Sequence, residues 1–577
     1  MHLHLRYRPT KLGAVLACLA LAAAAATSIG VAAGVSGGKT TSPRATAGHA
    51  ASLSEVVTAW PADATSLDPQ NESTDQDHEL TRNIYQGLIS PAFRQLPDGT
   101  LSWYENKFVG VLADKWTIAK SSITFHIRPG VKFYPSGNPV TAEDARWSIS
   151  RLWDTPGVGD IKANGLQSPS QLKVVNPSTF RVNYVNAQGK PMPVNSVMLA
   201  IFREHFFSIV DSVEAKKHAT AGDKFAAKWL RNNAVGTGPY YIASRTPGTG
   251  LVLNAVPATW APQPYYKTVT IRISSASTAS LLQGGDINVG EFGFTNQQAN
   301  SMAKDKNLTV LHGNTPEFMM FAIAADPGAG PMRDQTVRTA MAYALPYDRI
   351  LKDVFFNRAR RDLSIVDASA IEYTPAWASY KENIVKAKSL MAQAGNPKFT
   401  VPFLYQQGDA DQQSSALYIQ ANLKQLGITA QLTPVPRAAL FDALNARSTP
   451  PKGAAIGPPG VVLFNWSAWI ADPKVVIGYW ATKGGINNYS LWSDPRVDAA
   501  NKKYELAPTS PARTAAYKQA QRIIAAGAAN LPIINTGRNV IVARGLAGVN
   551  FRVQPGMGFW MLHPVGKTNP FNAKFVR

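Results

Sequence analysis

Cysteine is almost absent. Cys18 is the single one in 577 residues, so neither a disulfide framework nor a cysteine-based zinc site holds this chain together. Acid is also scarce: 37 Asp and Glu stand against 58 Lys and Arg, a formal net charge of +21, although only 16% of residues are charged. The excess is not gathered into the stripes of a nucleic-acid binder; its tightest knots are Arg358 with Arg360 and Arg361, and Lys502 with Lys503. It suits a basic protein facing an anionic wall or membrane, and no nucleic-acid partner is expected. The common catalytic motifs are missing as well: no Gly-x-Ser-x-Gly elbow, no His-Glu-x-x-His, no Walker loop and no dinucleotide fingerprint. Gly236-Thr237-Gly238 runs into Pro239, which stops a helix from opening there to receive phosphate, so a turn ahead of a strand at Tyr240–Ala243 is expected. The nine histidines are scattered, and the close pair His2/His4 lies at the extreme N-terminus. No metal-ligand spacing emerges, no metal site or cofactor is implied, and the inventory is not that of an enzyme.

What the chain does have is apolar bulk, 45% hydrophobic and 10% aromatic residues, ample for one large or two medium cores. Met1 to Lys11 carries Arg6, Arg8 and Lys11 without an acid, and Leu12 to Ala33 is almost wholly Leu, Ala, Val and Gly. Residues 1–33 therefore read as a secretory signal peptide or, if retained, a signal anchor. Val15-Leu16-Ala17-Cys18 fits a lipidation box poorly, since it sits mid-run with Leu at the small position. Residues 34–52, rich in Gly, Ser, Thr, Pro and Ala, read as a flexible linker. The expected location is extracytoplasmic, in the cell envelope.

Beyond the linker, short strands and moderate helices mix irregularly, which points to an α/β architecture. Ser122 to Arg128 alternates apolar and polar residues as a half-buried strand should, Pro129-Gly130 turns, and Val131-Lys132-Phe133 is expected to resume as a strand. Thr141 is placed to cap a helix whose first turn carries Glu143 and Asp144. Thr336–Arg349 has helical spacing, and Ser493-Asp494-Pro495 is a helix start. An apolar strand at Val461–Phe464 leads into Asn465-Trp466-Ser467-Ala468-Trp469-Ile470-Ala471-Asp472-Pro473. Side chains leaving a strand end into an Asp-Pro turn sit where α/β folds bind ligands; the alternative is two tryptophans plugging an apolar corner.

Several blocks recur together. They include Ser66-Leu67-Asp68-Pro69, then Asn83 to Leu88, then Leu112 to Trp116, and Thr124 to Phe133 with Val140 to Asp144. Val235 to Tyr240, Leu282 to Ile287, Val337 to Ala344, Ala421 to Ile428 and Trp466…Asp472-Pro473 follow. In this order, across Leu53 to about Gly548, the chain resembles the extracellular solute-binding proteins of peptide/nickel-type ABC importers. The resemblance implies a two-lobed, periplasmic-binding-protein-like α/β fold with an extra inserted subdomain and lobes joined by hinge strands. It implies a first lobe over 53–278 with the subdomain at about 96–215, a second lobe over 279–534, and a return to the first from 535 to 577.

It also implies a monomeric protein that captures a peptide or peptide-like small molecule and works with ABC permease subunits in the membrane. A non-transporting cell-surface receptor or chaperone of the same fold is the alternative. Glu72, Trp260, Asn465, Trp466 and Trp469 are the expected ligand-binding residues. In oligopeptide-binding relatives the place of Trp469 holds an acid that pairs with the ligand's α-amine. An indole there predicts poor binding of free-amine di- and tripeptides and better binding of N-blocked, cyclic or aromatic-rich ones.

Overall fold

A computed structural model describes residues 54–576 apart from 156–157, 187, 258–259, 314, 451–454, 468–471 and 552–555, and apart from the side chains of 104–106, 159–160, 163, 196 and 438. The expected signal, linker and Cys18 lie outside the described residues. No helix among those described is long and apolar enough to cross a membrane.

The first lobe is built on a seven-stranded sheet. Val56–Trp60 lies at its centre, running parallel to Thr268–Ile273 on one side and to Val289–Gly290 on the other. Gly250–Ala255 and Tyr240–Thr246 extend one edge, Arg538–Ala543 and Leu308–Gly313 the other. The alternating burial of Ser122–Ile127 places it in a separate four-stranded antiparallel sheet with Ala113–Ala119, Thr179–Asn183 and Leu172–Asn176. Against that sheet lies the helix Ala142–Ser150, opened by a capping box in which Thr141 and Asp144 satisfy each other's backbone N–H groups. The expected strand at Val131–Phe133 is only a pair of single bridges, Lys132 to Pro139 and Tyr134 to Gly236, since no neighbour offers it a ladder.

The second lobe has its own six-stranded sheet, in the order Arg360–Arg361, Asn530–Asn535, Glu317–Ile323, Val461–Ser467, Phe399–Gln406 and Ile428–Val435. Helices Ala410–Lys424 and Pro511–Gly527 pack on it and Gln335–Ala344 packs against both of them, each opened by a side-chain cap from Asp409, Ser510 or Asp334. The helical spacing of Thr336–Arg349 is interrupted at Leu345-Pro346, because proline has no N–H to continue the ladder.

The chain passes between the sheets twice. Leu308–Gly313 belongs to the first sheet and Glu317–Ile323 to the second; Asn530–Asn535 returns from the second and Arg538–Ala543 rejoins the first. The expected lobe boundary near 279 thereby moves to between Gly313 and Glu317. Val289 pairs with Thr58, and Leu308–Gly313 pairs along its whole length with Arg538–Ala543, so these strands are bound to the first sheet. Two short crossings that run in opposite directions are the kind of connection about which lobes hinge. Gly537 sits in the second crossing at φ +58, where a Cβ would lie 2.4 Å from His312 Nε2.

The Gly-Thr-Gly-Pro segment has a packing role. A Cβ on Gly236 would lie 2.2 Å from the Ile84 carbonyl oxygen and one on Gly238 2.4 Å from the Ile84 carbonyl carbon, at the end of the helix Asp75–Ile84. Gly238→Ala should therefore cost about 1–3 kcal/mol through backbone displacement. Urea unfolding checks this, and an unchanged midpoint would refute the packing role.

Candidate ligand cleft between the lobes

At the two crossings the lobes enclose a cavity of about 240 Å³. The first lobe contributes Asp75, Glu291, Asn296, Arg538 and Asn539, and the second contributes Glu317, Asp409, Asp411 and Asn465. Five carboxylates and one arginine line this cavity in a chain whose overall charge is strongly positive.

Local structure explains each position. Glu317 opens an otherwise apolar strand, so its carboxylate stands at the strand mouth, 3.4 Å from Arg538 Nη2 at the start of the returning strand. Burial raises the Glu317 pKa and Arg538 opposes that rise. Glu291 follows the short central strand Val289–Gly290; its Oε1 accepts a 3.1 Å hydrogen bond from Gly556 N, while its buried Oε2 has no partner among the described residues. Burial raises its pKa as well. Asp409 caps the helix Ala410–Lys424 by accepting from Gln412 N at 2.9 Å. Asp411 lies in that helix's first turn; burial, then the neighbouring Asp409 charge, pushes its pKa up to about 6. It reaches across the cleft to accept a 2.7 Å hydrogen bond from Asn296 Nδ2. Asn296 Oδ1 in turn accepts from Asn539 Nδ2 at 2.6 Å, so one polar chain joins the lobes.

The expected binding residues divide. Asn465 lines the cleft, and its buried Oδ1 has no hydrogen-bond partner among the described residues. Trp466 does not line the cavity: the next residue on a strand projects to the opposite face. Its ring lies edge-on to Phe318 and Trp480 at 5.7 and 5.4 Å. Glu72 and Trp260 belong to the first lobe and are not among the cavity's lining residues. The Glu72 side chain is buried against His78 and His205. The Trp260 indole donates to Gln86 Oε1 at 3.2 Å, and its ring is met by the protein's own cations, Lys574 Nζ at 3.3 Å and Arg128 at 4.6 Å from the centroid. Trp469 lies outside the described residues.

Sequence reasoning missed Glu291, Glu317, Asp409, Asp411 and Arg538. A charge beginning an apolar strand, in Glu317-Phe318-Met319-Met320, was the one local signal available.

Comparison with known proteins accords with this architecture. The profile of bacterial extracellular solute-binding proteins, family 5 Middle, matches residues 107–488. This chain belongs to that family of solute-binding proteins. The probable D,D-dipeptide-binding periplasmic protein DdpA of Escherichia coli K12 is 25% identical over 497 residues, covering 85% of this chain and 90% of that protein. The glutathione-binding protein GsiB of Shigella flexneri serotype 5b is 25% identical over 521 residues, 88% of this chain and 93% of that one. Among solved structures, the ABC transporter-associated periplasmic binding protein DppA from Helicobacter pylori, in complex with the peptide STSA, superposes with a TM-score of 0.70. It is 21% identical to this chain, with 88% of this chain and 98% of that one covered.

Proposed function

We propose that this protein captures a peptide or peptide-like solute carrying a cationic group in the interlobe cleft, outside the cytoplasm, and delivers it to an ABC importer. The observation that carries the reading is the cavity between the hinge crossings, lined by both lobes with five carboxylates and one arginine. A ligand ammonium meets Asp409, Asp411, Glu291 and Glu317, and a ligand carboxylate meets Arg538. The names of DdpA, GsiB and DppA support the solute class. The acid that oligopeptide-binding relatives place at position 469 is then supplied by the cleft, and a free amine is favoured rather than refused. This reverses the substrate preference that Trp469 alone suggests.

Calorimetric titration of free-amine dipeptides against their N-acetylated twins tests it. The amine is expected to contribute about 1.5–3 kcal/mol, so acetylation should weaken binding roughly 10- to 100-fold. Affinity for the free amine should rise between about pH 5 and about pH 7, because Asp411, pushed up to about 6, is mostly protonated at the lower pH and charged at the higher. Equal or tighter binding of the acetylated peptides would overturn the proposal.

A further inference from the structure

We infer that Glu72, His78 and His205 form a site for a divalent cation of the zinc class, inside the first lobe and separate from the interlobe cleft. The three side chains come from two distant segments. Glu72 lies just before the capped start of the helix Asp75–Ile84, His78 lies in that helix's first turns, and His205 opens the short turn His205–Phe207, 127 residues further along. Their ligand atoms all lie within 4.8 Å of one another. Glu72 Oε2 is 2.5 Å from His205 Nε2 and 3.7 Å from His78 Nε2, and the two imidazole centroids are 4.5 Å apart. A tetrahedral zinc ion with bonds of about 2.0–2.1 Å sets its ligand atoms about 3.3 Å apart, a spacing bracketed by these two distances.

The surroundings favour a cation. The Glu72 side chain is only 3% exposed, and its Oε2 has no partner in good hydrogen-bond geometry, only the ring nitrogens of His205 and His78 close by. Its other oxygen accepts from the Thr81 hydroxyl, the kind of outer contact that orients a metal-binding carboxylate. Two other charges bear on the group. Asp77 is engaged by the backbone N–H groups of Thr65, Ser66, Ser73 and Thr74. Arg82, one turn further along the helix, opposes a second cation, but the field of Glu204 offsets it. Two imidazoles and one carboxylate make a three-ligand set with a fourth position to fill. His205 also lines a cavity of about 80 Å³ with Arg82, Tyr85 and Gln86, room enough for a water ligand.

The test uses tag-free, EDTA-treated protein titrated with Co²⁺ and followed by its visible d–d absorption, with Zn²⁺ as competitor. One equivalent should bind with the intense spectrum of a tetrahedral site, and Zn²⁺ should displace it. His78→Gln and Glu72→Gln should each weaken binding at least about 100-fold, and Thr81→Val about 10-fold. His218→Gln should change nothing, since that ring is stacked on Trp229 elsewhere on the surface. Circular dichroism verifies that each variant is folded; His78, with its side chain 18% exposed, is the substitution best tolerated. Absence of a tetrahedral Co²⁺ spectrum, or unchanged affinity in the folded His78 and Glu72 variants, would overturn the assignment.

Discussion

Arg513→Ala is expected to destabilise the protein by about 3–5 kcal/mol. The guanidinium is 2% exposed and donates from Nη2 to both oxygens of Asp472 at 2.6 and 2.8 Å, and from Nη1 to Glu372. Asp472 also caps the helix Pro473–Trp480, so one buried cation joins that helix start to Glu372 and to the long helix Pro511–Gly527. Removing it leaves two buried carboxylates without a countercharge, which costs far more than the pair contributes net. Urea unfolding of the ligand-free protein reads the effect. A loss under about 1 kcal/mol would show that water or rearranged neighbours solvate the acids. Arg151, bound to Asp68 at the start of the chain's first recognisable block, is the first-lobe counterpart, with both side chains at most 2% exposed.

The second large effect separates binding from stability. The double variant Glu317→Gln, Asp411→Asn should lose at least about 100-fold in affinity for a free-amine solute, because two charge-assisted contacts go at once. Its stability at neutral pH should nevertheless rise. The Asp411 pKa stands at about 6 in the folded protein against an ordinary 3.8, and that of Glu317 is raised by burial too. Folding therefore binds protons that the unfolded chain has already released. For Asp411 the stability present below about pH 3.8 is lost as pH climbs through about 6, and above that the penalty is complete. Neutral amides escape it. Thermal melting at about pH 5 and about pH 8 should show the variant's gain growing with pH. A variant that binds as tightly as wild type, or that is destabilised more at the higher pH, would contradict this account of the cleft.

Much of the scaffold was legible in the sequence because local chemistry dictates it. Thr141 with Asp144, and Asp494 before Pro495, announce helix starts, and the alternation of Ser122–Ile127 announces a half-buried strand. The order of blocks announced the two-lobed architecture. Of the residues lining the candidate cleft, only Asn465 was legible in the sequence, since a cleft between lobes is assembled from residues that have no relation in sequence. Glu291, Glu317, Asp411 and Arg538 meet because the chain crosses between the two sheets after Gly313 and after Asn535, and no local period records that. The histidines illustrate the same limit. His78 and His205 show no ligand spacing in the sequence, yet their rings are 4.5 Å apart in the fold. Glu72 and Trp260, expected as ligand contacts, are not among the residues lining the interlobe cavity: Glu72 faces His78 and His205, and the Trp260 ring faces Lys574 and Arg128.

Native mass spectrometry of the protein isolated from its source cells, alongside the Glu317→Gln, Asp411→Asn variant prepared in the same way, tests the central claim most directly. The account predicts that wild type carries a bound peptide or peptide-like mass with a free amine, and that the folded variant does not. An adduct retained equally by both proteins would place the ligand elsewhere, and a wild type that carries none and takes up no free-amine peptide when supplied would contradict capture in this cleft.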